Sequence, residues 1–104
     1  MNGLDLEDST DAAAARAAGI VAGRAAIDEL DAQLLRLVAE RQAASRRVQL
    51  LRREAGAPGI QYARENEVIG RYTAELGPDG VRLALLLLEL CRGSGPTIVA
   101  PRTG

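Results

Sequence analysis

From Val21 to Glu54 the chain has no proline and one glycine, Gly23, and its apolar residues recur every three or four positions. That period is helical. It predicts a single helix of roughly 30 to 35 residues, about 50 Å long at 1.5 Å per residue. The whole chain has only 104 residues. So long a helix exceeds what a globule of this size needs, and such helices pair with a partner chain or join a bundle. Whatever else the chain forms must be arranged along it.

One face of this helix reads Arg24, Ile27, Asp31, Leu34, Val38, Arg41, Ser45, Val48, Arg52. The stripe should be apolar, yet it carries three arginines. A guanidinium cannot shed its proton to escape burial. Arginines among core positions therefore need an anion, and Asp31 is the only acid on the stripe. A bound ligand is one candidate for that anion. The competing reading is that the arginines extend to solvent or pair with acids at an interface. Arg41 fits that least well, because Leu34 and Val48 flank it one heptad away. Arg36, Arg46, Arg47 and Arg53 lie off the stripe and read as a solvated face.

Arg41 and Arg52 are separated by about 20° around the helix and about 16 Å along it. Two extended side chains at that spacing can bracket a small dianion. Arg24 lies roughly 25 Å before Arg41, too far to reach the same ligand from the same helix. An antiparallel partner helix would bring it there. The spacing thus suggests a site shared between two chains.

Composition narrows the chemistry. There is no His, Phe, Trp or Lys, and all 13 basic residues are arginine. Without His there is no Ser-His or Cys-His nucleophile pair and no His metal site. Without Lys there is no Schiff base. Net charge is −1, which argues against a general nucleic-acid or anionic-membrane surface. Tyr62 and Tyr72 are the only aromatics. An apolar content of Leu, Ala, Val and Ile suits helix-on-helix packing, but the core is thin for a monomer, so oligomerisation is expected. Cys91 is the only cysteine. It forms no intrachain disulfide and reads as an inert buried thiol in a reducing, cytoplasmic setting. The acidic N-terminus does not resemble a signal peptide, and no apolar run approaches the roughly 20 residues that span a bilayer.

The chain divides into an arm over 1–20, a helical domain over 21–93 and a tail over 94–104. The arm carries Asp5, Glu7, Asp8 and Asp11 before a run of alanines and reads as mobile, with its end open to helix. Gly56-Ala57-Pro58-Gly59 ends the long helix. A second helix is predicted from about Tyr62 to Glu75. Gly77-Pro78-Asp79-Gly80 then makes a turn, with Pro78 and Asp79 suited to opening a third helix. The third helix is predicted from about Val81 to Arg92. It is apolar nearly all round and should be buried. The tail reads as flexible. The class is all-α, with one long and two short helices.

Arg64-Glu65 opens the second helix. Glu65 is either simply favoured by the helix dipole or an acceptor for a ligand hydroxyl. Gln61 lies one turn earlier on the same side.

Taken in order, these residues resemble the all-helical chorismate mutase family. The resemblance runs over about residues 20 to 93. It rests on Arg24 followed by Ile27-Asp28-Glu29-Leu30-Asp31, then Leu34-Leu35, Ala39-Glu40-Arg41, Arg52 eleven positions on, and Arg64-Glu65. Arg71-Tyr72 and Glu75-Leu76-Gly77-Pro78-Asp79-Gly80 look like its short, stand-alone subgroup. The resemblance implies an intertwined helical homodimer with two equivalent sites. It implies that Arg24 of the partner and Arg41 hold the two carboxylates of chorismate. Arg52 would contact a carboxylate and the ether oxygen, and Glu65 would bond the ring hydroxyl. Gln61 and Arg64 would line the site. Arg92 stands where many relatives place a glutamine that bonds the ether oxygen, and Leu88 where some place a serine.

The implied reaction, chorismate to prephenate, is a pericyclic rearrangement that requires no cofactor, metal, proton transfer or covalent intermediate. It suits a chain without His. The resemblance to the short subgroup implies that the loop around Pro58 and the C-terminal segment would adapt when deoxy-arabino-heptulosonate phosphate synthase binds and raises a weak activity. Three alternatives remain: an aminodeoxychorismate mutase, with Glu65 facing a ring amine; an isochorismate pyruvate-lyase, with Arg52 in place of the lysine that activity uses and this chain lacks; and a non-enzymatic helical dimer or regulatory subunit.

Overall fold

The computed structural model describes residues 2–92. The tail assigned to 94–104 lies outside them. Three helices follow one another: α1 (Asn2–Glu54), α2 (Tyr62–Leu76) and α3 (Pro78–Cys91). The described residues contain no strand. The all-α class and the order of one long and two short helices agree with the sequence.

Helix α1 begins at Asn2, well before the Val21 start expected from the apolar period. The difference has a simple cause. Residues Ala12–Ala15, Ala17 and Ala18 are strong helix formers, and no proline precedes Pro58. Periodicity finds only the helix that has a core to face; propensity carries it further.

The described residues form two compact units, divided between Arg36 and Leu37. In the first, every described side chain is exposed, including Ile20, Val21, Ile27, Leu30 and Leu34. The second contains the C-terminal part of α1 together with α2 and α3, and it holds the buried residues. These are Val68 from α2, with Gly80, Ala84, Leu87, Leu88 and Cys91 from α3. Gly80, Ala84, Leu88 and Cys91 step by three or four, with Leu87 beside them, so they share one side of α3. The remaining leucines of α3 are not covered: Leu83, Leu85, Leu86 and Leu90 lie between 42% and 58% exposed. A helix expected to be buried all round is covered on one side only by its own chain.

Local chemistry sets the joints. Helix α1 ends in a Schellman arrangement. Gly56 takes φ 79°, its N–H donates to Arg53 O at 3.0 Å, and Ala57 N–H donates to Arg52 O at 2.8 Å. A positive φ there favours glycine. Pro78 occupies the first turn of α3, where a missing N–H costs nothing. This starts α3 three residues earlier than the apolar run alone suggested.

Gly80 is where α2 and α3 come closest. A Cβ on Gly80 would fall on the backbone carbonyl of Tyr72. Backbone cannot rotate aside, so the helices would have to part. Gly80→Ala should therefore destabilise by about 1–3 kcal/mol. Gly70 in α2 has nothing within 4 Å of the corresponding position, and Gly70→Ala should stabilise by about 0.5–1 kcal/mol. Urea unfolding of both variants should show midpoints moving in opposite directions. Equal shifts would contradict this packing.

Candidate active site

Within the second unit, polar side chains tie α1 to the end of α3. Ser45 Oγ and Gln49 Nε2 donate to Cys91 O at 2.9 and 3.1 Å, and Gln42 Nε2 donates to Leu90 O at 3.3 Å. The last carbonyls of a helix have no intrahelical donor. Three α1 side chains at positions 42, 45 and 49 supply donors to two of those at the end of α3. Beside these ties lies a cavity of about 330 Å³, bounded by α1, α2, α3 and the loop between α1 and α2.

The cavity is lined by Arg41, Arg52, Gln61, Arg64, Glu65, Leu88 and Arg92, together with Ser45, Val48, Gln49, Val68 and Cys91. Seven of the eight residues singled out from sequence thus meet in one place. Arg24 does not line it; it is an exposed residue of the first unit. Four guanidiniums against one carboxylate give the lining an excess of positive charge. Val68 and Leu88 add a buried apolar surface.

Each charge has a defined state. Arg41 Nη1 donates to Cys91 Sγ at 3.0 Å. Sulfur is a weak acceptor, and four of the five guanidinium donors remain. Arg52 Nη1 donates to Gly59 O at 2.7 Å, linking the end of α1 to the loop that follows. Among the described residues neither Arg41 nor Arg52 has a carboxylate partner. Arg64 pairs with Glu67 at 3.2 Å across one helical turn, and both are so exposed that the pair contributes little.

Glu65 is the one acid, and it is engaged. Arg92 grips it with two bonds, Nη2 to Oε1 at 2.8 Å and Nε to Oε2 at 3.3 Å. The hydrogen bond to Glu65 raises the Arg92 pKa above its ordinary value. This pairing joins the start of α2 to the end of α3, and sequence spacing gave no sign of it. Gln49 and Cys91 were also not foreseen as lining residues. The row Gln42, Ser45, Gln49 was the available signal: three hydrogen-bonding side chains on one face of a helix.

Such a lining suits a small, multiply anionic ligand with one hydroxyl or cationic group for Glu65. The profile of the family "Chorismate mutase type II" matches residues 23–86. Proteins named "Intracellular chorismate mutase" from Mycobacterium tuberculosis and Mycobacterium bovis are each 47% identical over 70 residues, covering 67% of this chain. The protein of that name from Mycolicibacterium smegmatis is 41% identical over 70 residues, 67% of each chain. The matched stretch spans 66% of the first two relatives' length, a little under two thirds. No solved structure gives a significant match.

Proposed function

Because the chain belongs to the type II chorismate mutases, we propose that its cavity converts chorismate to prephenate, a step toward phenylalanine and tyrosine. One observation carries the reading: Arg41 and Arg52 line the same cavity without a carboxylate partner. Unneutralised guanidiniums facing a partly apolar space suit a dicarboxylate. The reaction breaks the ether C–O bond and forms a C–C bond in one concerted step. It needs a compact, pseudo-diaxial conformer and relief of negative charge developing on the ether oxygen. Fixed guanidiniums supply both without any change of protonation. In this reading Arg41 binds one carboxylate. Arg52 contacts the other and the ether oxygen, and Glu65 accepts the ring hydroxyl. Gln61 and Arg64 border the substrate, Leu88 excludes water, and Arg92 offers its remaining Nη1 donors on the ether side.

The site is completed, in the same reading, by Arg24 of a second copy in an intertwined homodimer. One feature supports a second copy: apolar side chains are exposed in both units. Ile27, Leu30 and Leu34 in the first unit and Leu83, Leu85 and Leu86 in the second would find cover there. No described helix is long and apolar enough to cross a membrane; the relatives' printed names call those proteins intracellular, and on that likeness we assign this chain to the cytoplasm.

The test is direct. Purified protein incubated with chorismate should deplete it and yield prephenate, both followed by proton NMR. A full-length sample that leaves chorismate at the uncatalysed rate would refute the reading. The resemblance to the short subgroup adds that titrating deoxy-arabino-heptulosonate phosphate synthase should raise kcat/KM. An unchanged value would remove that partner.

A further inference from the structure

The bidentate Arg92–Glu65 pair is the unusual element of the cavity: its only carboxylate is already held by a cation. We infer that Arg92 is a specificity-determining residue, which makes the Glu65 position select a neutral ring hydroxyl and reject a ring amine. The inference rests on the chorismate reading of the same cavity.

A carboxylate has about four lone-pair sites. Arg92 uses one on each oxygen, at 2.8 and 3.3 Å, so a hydroxyl still finds an acceptor. Its partial charge is small, and the neighbouring guanidinium does not repel it. An ammonium at the same place meets a carboxylate whose charge is offset, with Arg92 in direct contact with that carboxylate. The side chain of Glu65 is only 18% exposed, so solvent screens that repulsion incompletely. Rejection of a wrong ligand by a placed like charge is a general route to specificity. Without Arg92, Glu65 would be an uncompensated anion and would favour the ammonium.

The probes are chorismate and the analogue whose ring hydroxyl is replaced by an amine. Both carry the same two carboxylates and the same ether bridge. Anything else Arg92 does therefore cancels in the ratio of their kcat/KM values, measured with the two compounds in competition. Wild type should prefer chorismate. Arg92→Gln should move the ratio toward the amine by about tenfold or more, on the scale of a lost repulsive element. Arg92→Lys, which keeps the charge, should stay close to wild type. Glu65→Gln, which leaves Arg92 unopposed, should move the ratio the other way and serves if Arg92→Gln does not fold. An unchanged ratio in Arg92→Gln with chorismate still converted would overturn the inference while leaving the chorismate reading intact. Wild type that converts neither compound would overturn both.

Discussion

Arg52→Ala should lower kcat for chorismate by at least about 10²-fold, the scale of one lost oxyanion-type donor. The reason lies in where Arg52 stands. It lines the cavity with no carboxylate partner, and only its Nη1 is engaged, on Gly59 O at 2.7 Å. The other donors are available to an oxygen on which charge grows only in the transition state. Binding that strengthens in the transition state appears in kcat; binding equal in both states appears in KM. Arg41→Ala should raise KM as well, because the role proposed for it is to hold a carboxylate throughout. Arg64→Ala is the comparison within the same lining. Its pairing with the exposed Glu67 leaves it peripheral, and its effect should be far smaller. Losing the Arg52–Gly59 bond also removes about 0.5–1.5 kcal/mol of stability. Measuring kcat well below the unfolding temperature separates that from chemistry. Near-normal turnover in Arg52→Ala would contradict the assigned role.

The legible parts of this chain were those fixed by local chemistry. The α1–α2 joint follows from Gly56 and Pro58, and the α2–α3 joint from Gly77 and Pro78; the helices end and start there. The stripe through Arg41, Ser45, Val48 and Arg52 follows from helical period, and all four line the cavity. What was illegible depended on distance in sequence. Arg92 and Glu65 are 27 residues apart, and nothing in the spacing of either announces the other. The ties from Ser45 and Gln49 to Cys91 O span 46 and 42 residues. Their cause, the unbonded carbonyls at a helix end, is general, but which side chains satisfy them depends on tertiary packing. The early start of α1 escaped for another reason. Its alanines have propensity without a buried face, so no period marked them. The exposed leucines of α3 mark a further limit: an apolar sequence says that a surface must be covered, not by which chain.

That last point leads to the larger expectation, a site divided between two chains. If Arg24 serves the partner's cavity, Arg24→Ala and Arg52→Ala homodimers are each defective in both sites. A heterodimer with one subunit of each kind is different. One of its sites combines the intact Arg52 of the first subunit with the intact Arg24 of the second; the other site lacks both. Co-expression with two affinity tags and sequential purification isolates that heterodimer. Its chorismate turnover is the measurement that tests the account most directly, because recovery requires the reaction, the arginine roles and the shared site together. The account predicts about half of wild-type kcat, one working site of two, from two parents that are each nearly inactive. A heterodimer no more active than its parents would contradict it.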